Sequence, residues 1–158
     1  MKAPDANPDS RAEQRTRVLC VDDSADIAKM LALLVRREPD MESVGTLGSA
    51  EGIVDEVIRL GVEVVVLDLT MPGPSPLQSI RELAMRVPSC RVIAFSGHDD
   101  LDTTDEVRRA GAWGLVSKAA ETADILAAIR LAAGAGTQRA RPQTPRSGGG
   151  ETDAVHQR

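Results

Sequence analysis

The chain of 158 residues fits one domain of ordinary size and leaves little room for a second. Its apolar residues, 42% of the total, are nearly all aliphatic, and Phe95 and Trp113 are the aromatic exceptions, which favours a parallel sheet covered by helices. A net charge of −5 and two cysteines argue against a nucleic-acid-binding protein and against a disulfide framework.

Both ends of the chain differ in composition from its middle. Residues 1–16 are polar and show no periodicity, and the last residues are rich in Gly, Pro, Arg and Ser. We therefore predict disordered segments at 1–16 and 135–158 around one folded domain at 17–134. The start does not resemble a signal peptide, and no apolar stretch approaches the roughly 18 residues of a membrane helix. A cytoplasmic protein without a membrane partner is expected.

The first half of the folded domain begins with an apolar run, Val18–Val21, which predicts a strand. A helix is predicted over Ser24–Glu38, because apolar residues recur there at spacings of three and four until a proline ends the pattern. Met41–Thr46 predicts a weaker strand at an edge of the sheet. Ser49–Leu60 predicts a second helix, which a glycine ends.

The second half continues the alternation. Val62–Leu67 is almost wholly β-branched and predicts a central strand that is buried on both faces. The remaining strands are predicted at Arg91–Phe95 and Trp113–Val116. The remaining helices are predicted at Leu77–Arg86, Leu101–Ala110 and Glu121–Ala133. Strands that alternate with helices predict an α/β fold with a doubly wound parallel sheet, and ligands of such sheets bind beyond the carboxyl ends of the strands.

Charged and polar residues follow four of the predicted strands at their carboxyl ends. Asp22 and Asp23 follow the first strand, Asp68 the third, Ser96 the fourth and Lys118 the fifth. Three carboxylates at one edge stay ionised together only beside a cation, and oxygen ligands favour Mg²⁺. Asp68 could also act as a nucleophile toward phosphorus. Each residue alone could be a cap, a turn residue or a surface lysine, but their joint placement favours one site.

Four segments, in this order, resemble the receiver domain of two-component response regulators. They are VLCVDDSADIAKML, VVVLDLTMPG, VIAFSG and AGAWGLVSKAA, and the resemblance spans about residues 17–134. It implies a flavodoxin-like (CheY-like) fold with five parallel strands in the order 2-1-3-4-5 and five helices. It also implies a phosphoryl donor, which would be a phosphohistidine on a sensor histidine kinase or a phosphotransfer protein.

The resemblance assigns a role to each residue of the expected site. Asp23 would be a direct Mg²⁺ ligand, Asp22 would bind the ion through water, and Asp68 would be both phosphoacceptor and metal ligand. The backbone carbonyl of Thr70 would be the third protein ligand of the metal. Two side chains would contact the phosphoryl group, the switch hydroxyl of Ser96 and the ammonium of Lys118.

The end of the folded domain is closest to receivers of the NarL/LuxR-type subgroup, which normally carry a C-terminal helix-turn-helix. The Gly- and Pro-rich residues 134–158 do not fit that motif, so we expect a receiver without direct DNA binding. Two positions depart from the family. Leu115 stands where many receivers have an aromatic switch residue, and Pro76 stands where glycine is usual, in a loop that we expect to be stiff. Thr70 and His98 occupy positions that tune the phosphoryl lifetime in the family.

The preferred hypothesis is a stand-alone receiver that accepts a phosphoryl group on Asp68 and signals by contact with an unknown protein target. It would catalyse its own phosphorylation and dephosphorylation but act mainly as a signalling protein, alone or as a homodimer. One alternative, motivated by Leu115 and the proline-rich loop, is an interaction module that never uses phosphate. Another is a heterodimeric partner of a full-length transcription regulator. No P-loop or dinucleotide-binding glycine motif follows the first strand.

Overall fold

The computed structural model describes residues 15–97 and 101–138, except for the side chains of 135–138. The described residues form five strands, β1 (Thr16–Val21), β2 (Met41–Leu47), β3 (Val64–Asp68), β4 (Arg91–Ser96) and β5 (Gly114–Ser117). They also form five helices, α1 (Ala25–Arg36), α2 (Ile53–Leu60), α3 (Pro76–Arg86), α4 (Leu101–Ala110) and α5 (Thr122–Gln138). The predicted disordered segments lie outside these ranges apart from residues 15–16 and 135–138, and His98 also lies outside.

The strands form one parallel sheet in the order β2-β1-β3-β4-β5. This confirms the expected doubly wound, flavodoxin-like fold. β3 is central, as predicted, and all of its residues are buried. β2 lies at an edge, and its pairing with β1 shifts register beyond the Val18–Ser43 pair, so that Val44 forms a bulge.

Each face of the sheet packs against its own set of helices, because successive strand residues point to opposite sides. α1 and α5 cover one face, where Leu31, Phe95 and Ile129 belong to the same buried core. α2, α3 and α4 cover the other face, where Val57 and Ile80 lie in a core of aliphatic side chains. None of the described helices is long and apolar enough to span a membrane.

Capping residues explain where the helices begin. The Ser24 hydroxyl accepts a hydrogen bond from the Ile27 amide at the start of α1, and Ser75 caps α3 in the same way. The sequence predicted that α2 begins at Ser49, but the helix begins at Ile53. The reason is Gly52, whose left-handed conformation (φ 68°) does not continue a right-handed helix.

Two strands also begin later than predicted. β3 starts at Val64 rather than Val62, because the Val62 amide donates to the Val57 carbonyl and so belongs to the turn that ends α2. β5 starts one residue after Trp113, which the prediction had included.

The last helix is longer than predicted. The predicted helix ends at Ala133, before Gly134 and Gly136, yet α5 continues to Gln138. A glycine inside a helix costs only about 1 kcal/mol relative to alanine. The first proline after the glycines is Pro142, so nothing stronger ends the helix earlier.

Candidate functional site

Four strands bring their ends together at the carboxyl edge of the sheet. Asp22 and Asp23 directly follow β1, Asp68 ends β3, Ser96 ends β4, and Lys118 directly follows β5. The Lys118 amide donates to the Ser96 carbonyl at 2.8 Å. The parallel register therefore gathers at one edge the residues that the sequence had placed at four separate strand ends.

The three acids form a carboxylate cluster. One oxygen from each of Asp22, Asp23 and Asp68 lies within 4.8 Å of the other two. The three members differ in burial: Asp22 and Asp68 are 1% exposed, whereas Asp23 is exposed to solvent. Two buried like charges are unfavourable unless cations or hydrogen-bond donors balance them.

Lys118 supplies part of that balance. Its Nζ lies 3.2 Å from Asp22 Oδ2 and 3.1 Å from Asp68 Oδ1. The same ammonium lies 5.7 Å from the centre of the Phe95 ring, within the range of a cation–π contact. A single ammonium cannot neutralise two buried carboxylates, so the cluster retains negative charge.

One oxygen of Asp68 has no hydrogen-bond donor within the described ranges. Asp68 Oδ2 is buried and accepts no hydrogen bond from these residues. Asp22 Oδ2 likewise accepts none from the residues that the structure describes, but it is paired with Lys118. A donor-free buried carboxylate oxygen beside two further carboxylates fits a hard divalent cation such as Mg²⁺. Asp22, Asp23 and Asp68 are therefore the side chains that could hold such an ion.

Neighbouring donors determine the protonation of the cluster. Burial raises the pKa of Asp22, and the hydrogen bond from the Ser24 amide and the nearby Lys118 ammonium offset this only in part. Burial acts the same way on Asp68, but donors from Thr70 and Lys118 outweigh it and lower the pKa of Asp68. Burial opposes a charged Lys118, yet the two carboxylates outweigh it and raise the Lys118 pKa. Asp68 is therefore a carboxylate at neutral pH, the form that can attack phosphorus.

Thr70 holds the Asp68 carboxylate in place. Its amide and its hydroxyl both donate to Asp68 Oδ1, at 3.0 and 2.9 Å. The hydroxyl contact was not predicted from the sequence, which assigned Thr70 a backbone carbonyl ligand for the metal and a position that tunes the phosphoryl lifetime in the family. A hydroxyl residue two positions after an acid at a strand end is a pattern typical of such local turns, and it could have indicated this contact. The position of the Phe95 ring near Lys118 was also missed.

A cleft of about 380 Å³ lies beside Ser96. Its walls come from the loop after β3, the start of α3, and α4. Ser96 itself is 1% exposed, and Thr70 lines the same cleft. Two groups of the predicted site therefore also face the space between α3 and α4.

The two departures from the family pattern have defined positions. Leu115 is partly buried and packs against the aliphatic core under α2, α3 and α4. Pro76 is the first residue of α3, where a missing backbone N–H has no helical partner to lose. Pro76 therefore belongs to a helix start rather than to the loop in which the sequence analysis had placed it.

The two cysteines are buried free thiols. Burial raises the pKa of Cys20 and of Cys90 to about 12. Thiols of this kind are poor nucleophiles, which agrees with the packing role expected for Cys20.

A doubly wound sheet with an acidic cluster and a lysine at its carboxyl edge defines a receiver-type α/β domain. The family model of the response regulator receiver domain matches residues 18–130, and the chain belongs to this family. The transcriptional activator protein ExaE of Pseudomonas putida is 36% identical over 113 residues, which are 72% of this chain and 53% of that protein. This chain thus spans about half the length of that relative.

Two further comparisons support the assignment. A protein-glutamate methylesterase/protein-glutamine glutaminase 2 of Cereibacter sphaeroides is 37% identical over 107 residues, 67% of this chain and 29% of that protein. The crystal structure of a LuxR-family two-component response regulator from Aurantimonas sp. SI85-9A1 is 26% identical, with a TM-score of 0.71 over 76% of this chain and 86% of that one. The resemblance to NarL/LuxR-type receivers is thereby confirmed.

Proposed function

We propose that the chain accepts a phosphoryl group on Asp68 from a phosphohistidine of a sensor histidine kinase or a phosphotransfer protein. It acts as a stand-alone receiver that signals by contact with a protein target and does not bind DNA directly. The observation that carries this proposal is a buried, ionised carboxylate with one oxygen that accepts no hydrogen bond from the described part of the chain, flanked by two acids and an ammonium.

The transfer forms a bond between an Asp68 oxygen and phosphorus while the bond from phosphorus to the donor imidazole nitrogen breaks. Thr70 fixes the orientation of the carboxylate through its two hydrogen bonds to Oδ1, which favours attack by preorganising the nucleophile. The Lys118 ammonium is close enough to Asp68 to pair with one oxygen of the arriving group. The Ser96 hydroxyl, at the end of the next strand, is the donor for another oxygen.

Mg²⁺ completes the proposed site. Asp22, Asp23, Asp68 and the backbone carbonyl of Thr70 would hold it, with Asp22 acting through water. When bound, the ion supplies positive charge that stabilises the phosphoryl oxygens during transfer. The donor-free Asp68 Oδ2 supports this choice, because Mg²⁺ binds through one or two carboxylates and keeps other positions for water and phosphate.

Intact-mass spectrometry after incubation with acetyl phosphate and Mg²⁺ tests the proposal. Wild type is expected to gain one phosphoryl group and Asp68→Asn none. Asp55→Asn is the matched control, because Asp55 is an exposed carboxylate on α2, and it should be labelled like wild type. Labelling of Asp68→Asn to the wild-type extent would contradict the assignment of the acceptor.

The second candidate function is an interaction module that uses no phosphate. Leu115 supports it, because an aliphatic side chain packed in the core replaces the aromatic switch of many receivers. Absence of labelling by both acetyl phosphate and a cognate kinase, together with no effect of Mg²⁺ on stability, would favour this reading.

A heterodimer with a full-length transcription regulator is compatible with either candidate, and pull-down against such regulators tests it. The cytoplasmic location stays a prediction.

A further inference from the structure

A second cavity, of about 540 Å³, lies at the amino edge of the sheet, at the opposite end from the carboxylate cluster. It lies between the ends of α2 and α3 on one face and the later part of α5 on the other. Its apolar walls are formed by Val57, Ile58, Val87, Ala132 and Ala133. We refer to this cavity as the amino-edge groove.

One buried polar atom of the groove has no hydrogen-bond partner among the described residues. Arg91, the first residue of β4, lines the groove, and its buried Nε finds no hydrogen-bond acceptor within the described ranges. Glu63 also lines the groove, but its carboxylate already accepts a hydrogen bond from the Arg17 amide at 2.9 Å. A buried N–H without an acceptor is unfavourable, so the groove favours an occupant that brings an acidic or carbonyl oxygen.

The chain enters the domain beside this groove. Arg17 Nε donates to the Leu60 carbonyl at 2.8 Å, and the same guanidinium lies next to Gly61, which lines the groove. Residues 1–14 therefore precede Arg17, which contacts the groove lining, by only a few positions. At up to about 3.3 Å per extended residue, this segment is long enough to cross the groove.

We propose that residues 1–14 bind in the amino-edge groove of their own chain. The segment carries Asp5, Asp9 and Glu13 as acceptors for Arg91, and its alanines and prolines suit apolar walls. Its side chains carry two basic and three acidic groups, a net charge of −1. Residues 139–158 carry four arginines and two acids, a net charge of +2, which is the less favourable sign for Arg91.

A paramagnetic label on the segment tests the proposal. A nitroxide on Ala6→Cys is selective, because Cys20 and Cys90 are buried. In the ¹⁵N-labelled full chain, we expect the amide signals of Ile58, Val62 and Ala133 to lose at least half of their intensity. The amide signals at the carboxyl edge, such as that of Thr70, should keep theirs. Uniform or absent broadening would overturn the proposal.

Two control samples separate the other possible occupants. A nitroxide on Ser147→Cys reports on residues 139–158, and broadening of the groove signals by this label alone would overturn the proposal. A mixture of ¹⁵N-labelled unmodified chain with unlabelled nitroxide-bearing chain reports on a second copy. Broadening of equal strength in that mixture would show binding between molecules and would also overturn it.

A pair of matched substitutions locates the contact. Ile58 is 57% exposed at the groove, and Met30 is 46% exposed on α1, so aspartate at either position should leave the fold intact. Ile58→Asp should restore at least half of the intensity lost to the Ala6→Cys label, because it places a negative charge against an acidic segment. Met30→Asp should restore none. An equal effect of the two variants would contradict binding in the groove.

Discussion

The two edges of the sheet hold their charges in opposite ways. At the carboxyl edge, two carboxylates that are 1% exposed share the ammonium of Lys118. At the amino edge, Arg130 on α5 pairs with Glu38 and Asp40 of the α1–β2 connection, and all three side chains are partly exposed. Exposed pairs add little to stability, whereas an unbalanced buried charge lowers it. The aliphatic layers therefore stabilise the fold. The buried charges at the carboxyl edge do not add to the stability of the fold.

Lys118→Met should produce the largest loss of stability, because it removes the positive charge beside the carboxylates at the carboxyl edge. It leaves two buried carboxylates without their cation, and we expect a loss of about 2 to 3 kcal/mol in unfolding free energy. This is less than for a fully buried pair, because the lysine side chain is 24% exposed. Urea unfolding in EDTA measures it, and added Mg²⁺ should recover part of the loss.

Arg130→Met is the control for that comparison, because it removes a long cationic side chain from the exposed pairs at the other edge. We expect it to lower stability less than Lys118→Met. Equal losses for the two variants would contradict the contrast between buried and exposed charge.

Gly111→Ala should cause the next largest loss of stability. It sharpens the comparison of the two edges, because at this point of the amino edge backbone conformation and close packing, rather than charge, limit which residue fits. Gly111 joins α4 to β5 with φ 112°, and a Cβ at this position would lie 2.6 Å from the Ala84 Cβ. We expect a loss of about 1 to 2 kcal/mol from backbone strain. Thermal unfolding measures it, with Gly48→Ala as control because no atom of the described residues lies within 4 Å of its added Cβ. Similar stabilities of the two variants would contradict this constraint.

The smallest expected effect is the pH dependence of the Arg130 pairs. Hydrogen bonding to Arg130 lowers the pKa of Asp40, so this pair adds stability above the unfolded pKa of about 3.9. That contribution disappears as the pH falls through the lower, folded-state pKa. The stability gap between wild type and Arg130→Met should therefore be full near pH 7 and narrow below about pH 4. A gap that widens on acidification would contradict the pairing.

The sequence predicted every strand and helix of the fold but not all of their boundaries. Apolar runs that alternate with amphipathic segments identify the strands and helices. A buried strand needs consecutive apolar residues, whereas a helix with one buried face needs apolar residues at spacings of three and four. The boundaries that the sequence missed depend on local backbone conformation and on single hydrogen bonds. Gly52 shortens α2 through its left-handed backbone, and Val62 belongs to a turn because its amide bonds Val57. The strand order came from the family resemblance, since alternation alone permits several orders.

The residues of the candidate site could be predicted from the sequence, but the pKa shifts of its carboxylates could not. Strand ends placed the three acids, Ser96 and Lys118 at one edge, because parallel strands share a direction. The sequence could not indicate that Asp22 and Asp68 would have opposite pKa shifts, since these depend on which donors reach each oxygen. The amino-edge groove was not predicted at all, because it depends on how three helix ends pack.

The single tryptophan has a consequence for optical experiments. Trp113 stands just before β5, and its amide bonds the Val92 carbonyl near the start of β4, so the indole belongs to the amino half of the domain. Its emission cannot respond to an ion at the carboxylates by direct contact. A fluorescence change on adding Mg²⁺ would instead report a rearrangement that extends from the carboxylates to the other edge of the sheet, making the intrinsic fluorophore a label-free detector of long-range communication.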